Sequence, residues 1–293
     1  MDSDIFIVLG MPRAGTTFLY HTLGKHPDIY MPYRKESMYF SVNYCKGEEW
    51  YRGLYKDCSP NQIGADVNPL YYIDTLAIDR ILDFNPNTKV ILSVRNPLDF
   101  AISQHGNIAA MGWDVPSVVD MVDGYQWQLS KDTAVPMHLN NGFMQRRINE
   151  ISKKFGDNAL IYDFRYFEEH PLSVLEHIES FLEIAPFFQE DNFDNVKINA
   201  SKRRNIPLLN SLLTSQGFLE TIYKLVPDNL IRRGRTLFDK LSVSGSTDND
   251  SGTGTLSDSE FHALEQKLES DIFYYKQLFA PGPIQSGSGM VSL

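Results

Sequence analysis

The stretch at residues 5–23, IFIVLGMPRAGTTFLYHTL, limits the architecture more than any other part of the chain. Ile5, Phe6, Ile7, Val8 and Leu9 form a short run with no polar position. A strand with one wet face would alternate, so this run predicts a strand covered on both faces within a parallel sheet. Gly10 ends the run, and Gly10 and Gly15 together allow the backbone to turn tightly. The amides around Ala14, Gly15, Thr16 and Thr17 then converge at the start of a helix, where unpaired N–H groups and the helix dipole favour an anion.

The spacing from Gly10 to Gly15 matches the first part of a phosphate-binding P-loop, but Thr16 stands where a Walker loop carries lysine. The loop offers Arg13 and two threonine hydroxyls instead. That donor set suits a smaller phosphate group held without a metal ion, rather than a magnesium-bridged triphosphate.

Downstream, strand and helix signals alternate. Helix is expected at 16–25, ended near Gly24, with a short strand at 29–31. An aromatic-rich helix follows at 47–58, then a strand at 63–67, a helix at 73–84 stopped by Asn85-Pro86, and an apolar strand at 89–94. Pro97 presets the first turn of the next helix. Residues 106–154 read as two or three helices, 159–163 as a strand and 171–182 as an amphipathic helix. Ser257, with Glu260 three residues on, predicts a capped helix carrying Phe261, Leu264, Leu268 and Ile272 on one stripe. Alternation of this kind implies an α/β fold: a P-loop-like parallel sheet flanked by helices on both faces. The 293 residues suit a single domain over 1–281, with a small-polar mobile insert at about 242–257 and a flexible tail at 282–293.

Bulk properties narrow the partners. A formal net charge of −10 argues against nucleic acid or another long polyanion. Cys45 and Cys58 are too few for a disulfide framework, and no Cys/His spacing suggests a structural metal. No apolar run is long enough to span a bilayer, and the first strand follows Met1 closely, so the expectation is a cytoplasmic protein without a membrane partner.

Four segments carry a resemblance. PRAGTTFL, at 12–19, resembles the 5′-phosphosulfate loop of sulfotransferases that use 3′-phosphoadenylyl sulfate (PAPS), which implies donor binding by Arg13, Ala14, Gly15, Thr16, Thr17 and Phe18. SVRNPLDFAIS, at 93–103, resembles that family's 3′-phosphate element, with Arg95 and Ser103 as the clamp. PYRKESMYF, at 32–40, resembles the K-E segment of heparan-type and bacterial members, which implies Glu36 as general base beside Lys35. NASKRRNIPLL, at 199–209, resembles the basic loop that closes over the donor, here through Lys202, Arg203 and Arg204.

The resemblance implies an enzyme that moves a sulfuryl group from PAPS to an acceptor hydroxyl and releases 3′,5′-ADP, with no metal. Glu36, Lys35 and Arg13 would be catalytic. In DVNPLY, at 66–71, Val67 stands near the place where heparan-type members usually have lysine. That departure and the acidic balance point to a small metabolite or a carrier-protein-linked acyl chain as acceptor.

The residues by themselves leave other readings open. Arg95 could be a fixed ion-pair partner of Asp99, and Lys35 with Glu36 a surface pair. The run ALIYD ending at Asp163 could pass for a Walker B strand, which would make the protein a P-loop kinase of a small metabolite. A non-catalytic nucleotide-binding module is a further alternative. Asp66 and His105 are the next candidates for the base, and Trp113, Tyr125 and Trp127 for the acceptor wall.

Overall fold

A computed structural model describes residues 4–110, 115–130, 133–137, 142–191, 193 and 256–290. Its centre is β1 (Ile5–Gly10), buried at every position. Alternation within β1 explains why a fully apolar run was needed. Ile5, Ile7 and Leu9 belong to one core cluster, and Phe6 and Val8 to another on the opposite face.

The main sheet has the order β2-β3-β1-β4-β7-β8, where β2 is Ile29–Tyr30, β3 Ile63–Val67, β4 Val90–Val94, β7 Ala159–Asp163 and β8 Ile284–Ser286. The first five strands pair in parallel, with Ile7 opposite Asp66 on one side and Val90 on the other. On one face lie α1 (Thr16–Leu23), through Leu19 and Leu23, and α8 (Pro171–Leu182), through Val174, Leu175, Ile178 and Leu182. The other face is covered by α3 (Thr75–Phe84), through Ala77, Ile78 and Ile81, by α6 (Phe143–Phe155), through Ile148 and Ile151, and by a C-terminal helix at Glu269–Leu278. Helices on both faces of a mainly parallel sheet are the architecture that the alternation of strands and helices implied.

Local signals placed several element ends. Asp74 caps α3 by accepting a hydrogen bond from the Leu76 amide at 2.9 Å. Ser257 and Glu260 form the expected capping box at Asp258–Lys267, but the helix breaks at Leu268 before the second helix begins at Glu269. The aromatic segment at 47–58 is helical only over α2 (Glu48–Gly53).

Two expectations are corrected. The segment at 106–154 is not wholly helical. Between the helix α4 (Pro97–Ala110), a single turn α5 (Val118–Met121) and α6 it contains an antiparallel pair, β5 (Tyr125–Ser130) with β6 (Thr133–Met137). The tail from 282 is not free of structure either. β8 adds to the sheet antiparallel to β7, and the Asp163 amide donates to Pro283 O at 2.9 Å. The strand covers an edge whose N–H and C=O groups would otherwise lack partners, and it makes the sheet mixed rather than wholly parallel.

Candidate active site

Topology selects one edge of the sheet. The chain leaves β1 through α1, whose Leu19 and Leu23 pack on one face, whereas it leaves β4 through α4, whose Phe100, Ala101 and Ile108 pack on the other. The two connections diverge on opposite faces, so a crevice opens beyond the carboxyl ends of β1 and β4, the usual ligand site of an open α/β sheet. The loop after β1 and Arg95 after β4 both lie at those ends.

The loop is tied down from below. The Met11 amide donates to Ser93 O at 2.7 Å, and the Ala14 amide to Met11 O at 3.2 Å. Arg13 and Gly15 both have left-handed backbones, with φ of 61° and 76°. Gly15 occupies the N-cap position of α1 without a side-chain cap, so the first amides of that helix are left for another acceptor. Glycine is required there for a second reason: a Cβ would lie 2.9 Å from the Phe164 ring. Thr16 is buried, and Phe18 packs edge-on to Phe167 at 5.4 Å between ring centroids.

Residues some ninety positions apart meet at this loop. Arg13 Nε donates to Ser103 Oγ at 3.1 Å, and its Nη1 to Asn107 Oδ1 at 3.4 Å, both on α4. Arg95 Nη1 donates to Arg13 O at 2.7 Å, and its guanidinium lies 5.2 Å from the Phe164 ring centroid. These hydrogen bonds end on neutral oxygens. Burial lowers the pKa of both guanidiniums, and the Arg95 charge lowers that of Arg13 further. Asp99 and Glu168 act on Arg95 in the opposite direction from nearby. Two half-buried cations at a helix N-terminus form a pocket of positive potential that an anion would neutralise. Ser103 is thus brought to Arg13, and Arg95 reaches the loop backbone. The sequence had placed Ser103 and Arg95 at one phosphate and Arg13 at another; the structure joins all three in one cluster.

The segment after β2 carries the other candidate pair. Tyr20 OH, on α1, donates to Pro32 O at 2.8 Å and holds the approach to this segment. Lys35 Nζ donates to Glu36 Oε1 at 2.5 Å. The Lys35 side chain is 9% exposed and that of Glu36 36%, so the carboxylate is the member of the pair that solvent or an acceptor can reach. Glu36 and Met38 both have positive φ, at 61° and 53°, which is uncommon for residues with a Cβ.

The fallback candidates take structural places. Asp66 does not face open solvent: it is buried, and its Oδ2 accepts hydrogen bonds from Ser37 Oγ at 2.7 Å, Tyr71 OH at 3.1 Å and Tyr51 OH at 3.2 Å. Burial pushes its pKa up to about 6 against the opposing effect of these bonds. Nothing local marks Ser37, Tyr51 and Tyr71 as its partners, because they come from three separate segments. His105 lies within 2.9 Å of Pro116 O and ties α4 to the segment before α5. Asp163 accepts from the Arg165 amide at 3.0 Å, capping the helix α7 (Phe164–Glu169), and from Tyr275 OH at 2.6 Å. It is occupied as a helix cap, which removes the main support for the kinase reading. Lys202, Arg203, Arg204 and Trp113 lie outside the described residues, as do the side chains of Tyr125 and Trp127.

A family model described as a sulfotransferase domain matches residues 2–220. The chain belongs to the sulfotransferase family. Among curated relatives, this sulfotransferase-family chain is 33% identical over 111 residues to heparan sulfate glucosamine 3-O-sulfotransferase 6 of Mus musculus, a stretch covering 38% of this chain and 32% of that protein. It is 34% identical over 103 residues to the membrane-associated sulfotransferase kil1 of Dictyostelium discoideum, covering 34% of this chain and 22% of that one. The chain therefore spans about a third or less of the length of these relatives. A solved sulfotransferase from Alicyclobacillus acidocaldarius has the same fold, with a TM-score of 0.52 at 16% identity, over 94% of this chain and 100% of that one. Among the described residues no helix is long and apolar enough to cross a membrane.

Proposed function

We propose that the protein is a PAPS-dependent sulfotransferase acting on an acceptor hydroxyl. The observation that carries this reading is the convergence of Arg13, Ser103 and Arg95 on a P-loop-like turn that has threonine in place of lysine. Two guanidiniums that bond only neutral oxygens suit a phosphate-bearing ligand, as PAPS and its product 3′,5′-ADP both are. The open amides at the start of α1 with Thr16 and Thr17 would hold the 5′-phosphate, Arg95 and Ser103 the 3′-phosphate, and Phe18 would border the site. The resemblance of the 199–209 segment assigns Lys202 and Arg203 to donor binding as well; both lie outside the described residues.

PAPS supplies the sulfuryl group: the acceptor oxygen bonds to sulfur as the bond from sulfur to the 5′-phosphate oxygen breaks. An alcohol is a poor nucleophile at neutral pH, and Glu36 would accept its proton; the greater exposure of its side chain within the pair supports this role. Lys35 and Arg13 supply positive charge where negative charge builds on the departing phosphate. The remaining task is positioning, as in phosphoryl transfer, and the rigid loop provides it. For the acceptor, the charge of −10 and Val67 in the DVNPLY segment favour a small neutral metabolite or a carrier-linked acyl chain. A saccharide is the second reading, favoured by the 33% identity to a protein named as acting on heparan sulfate glucosamine.

The test is Glu36→Gln. It keeps the shape of the side chain but cannot accept a proton, so it should bind 3′,5′-ADP like the parent and transfer radiolabelled sulfate from PAPS into a native extract about 10² to 10⁴ times more slowly. Parental transfer rates in this variant would remove Glu36 as the base. Binding of ATP only with magnesium, and no binding of 3′,5′-ADP, would refute the donor assignment.

A further inference from the structure

The segment that carries Glu36 is held by a buried group that the reaction itself does not use. We infer that Asp66 and Ser37 form a clamp that sets the position of Glu36, so that both are positioning residues for proton transfer. This rests on the reading of Glu36 as the base.

Glu36 and Met38 are both left-handed, and Ser37 between them is 1% exposed. Two such residues flanking one position hold only where the surroundings over-determine the backbone. The surroundings do so here. The Asp66 carboxylate accepts from Ser37 Oγ at 2.7 Å. Ser37 directly follows Glu36 in the chain, so fixing its side chain on Asp66 and its carbonyl on Asn43 restrains the residue that carries the base. Ser37 Oγ in turn accepts from the Tyr39 amide at 3.2 Å, and Asn43 Nδ2 donates to Ser37 O at 2.7 Å. Tyr71 OH donates to the same Asp66 oxygen and accepts from the Phe40 amide at 3.3 Å.

Asp66 is well placed to act as an anchor. It lies on β3, bracketed by β2 and β1, and so moves with the sheet rather than with the loop. Its carboxylate cannot be an alternative base where it stands, because it is 2% exposed and one of its oxygens already accepts three hydroxyl donors. The sheet thus transmits its rigidity through Ser37 to a partly exposed carboxylate that must meet an acceptor proton within hydrogen-bond reach.

Hydrogen exchange and transfer kinetics together test this. Ser37→Ala and Asp66→Asn should each raise amide exchange across residues 37–43 by about tenfold or more, as expected when a buried bond is lost. Asp271→Asn is the control: it weakens a buried carboxylate that accepts from the Met144 and Gln145 amides, so it should lower the melting temperature and leave exchange at 37–43 as in the parent. With radiolabelled PAPS and a native extract as acceptor source, Ser37→Ala should lower kcat about 10- to 100-fold, the scale of a displacement near 1 Å, with the KM for PAPS and 3′,5′-ADP binding unchanged. The double variant Glu36→Gln, Ser37→Ala should be no slower than Glu36→Gln alone, because both act through one group. Parental exchange at 37–43 in Ser37→Ala would overturn the clamp, and losses that multiply in the double variant would overturn its action through Glu36. Full transfer by Glu36→Gln alone would instead refute the base assignment, and the exchange data would still decide whether the clamp exists.

Discussion

Replacing Asp66 by asparagine should change how stability depends on pH, in a direction set by burial. In the folded chain the Asp66 pKa is raised from the ordinary 3.8 to about 6. Between those values the folded protein holds a proton at Asp66 that the unfolded chain has released. Its contribution to stability is therefore fully present below about pH 4 and is lost as pH rises through about 6. Two pKa units correspond to about 3 kcal/mol at roughly 1.4 kcal/mol each. Asparagine does not titrate, so the difference in unfolding free energy, parent minus Asp66→Asn, should fall by about 3 kcal/mol between pH 4 and pH 7.5. Urea unfolding of both proteins at four or five pH values measures it, and every other titrating group common to both cancels. The loss of a carboxylate acceptor for Ser37, Tyr51 and Tyr71 changes the offset between the curves, not their slope. A difference that stays flat, or that grows with pH, would show that the three hydroxyl donors outweigh burial and would refute the reasoning.

Three further outcomes concern the donor-binding site. Arg95→Ala should weaken 3′,5′-ADP binding by about 2 to 5 kcal/mol, as for a half-buried charge-assisted contact; in the parent, 3′,5′-ADP should raise the melting temperature without magnesium far more than 5′-AMP does, and equal shifts would remove the assignment of Arg95 and Ser103. Gly15→Ala forces a side chain onto φ of 76° and a Cβ 2.9 Å from the Phe164 ring, so it should lower stability by about 1 to 3 kcal/mol and reduce 3′,5′-ADP binding, and a melting curve like the parent's would refute it.

The site divides its work between elements of different stiffness. The β1 loop is tied by backbone bonds to β4 at Ser93 O, and Arg95 at the end of β4 returns a bond to Arg13 O. The donor cradle is therefore built across two neighbouring strands of the sheet. Glu36 comes from the edge instead, after the two-residue strand β2, and needs a separate anchor. Asp66, on the strand between that edge and β1, is where such an anchor can reach it.

Local chemistry alone determined the strand at residues 5–9, the turn at Gly10 to Gly15 and the helix that begins at Thr16, because burial on both faces, positive φ and unpaired amides each demand particular residue types within a few positions. The capping box at Ser257 and Glu260 was legible for the same reason. The pairing of Lys35 with Glu36 needed no more than adjacency. What only the tertiary structure decided depends on contacts between distant segments. The bond from Arg13 to Ser103 spans ninety residues, and no local pattern distinguishes Ser103 as a partner of Arg13 rather than of Arg95. Asp66 read as an acid near a strand end that could face the cleft; its burial beneath Ser37, Tyr51 and Tyr71 follows from how β3, α2 and two loops pack together. β8 carries too short a signal to read as a strand, since an edge of three residues gains its order from the free ladder of β7 rather than from its own side chains. The pair β5 and β6 was missed although Tyr125, Trp127 and Leu129 alternate with polar residues, because a strand's pattern over six residues takes on meaning only when a partner strand closes the ladder.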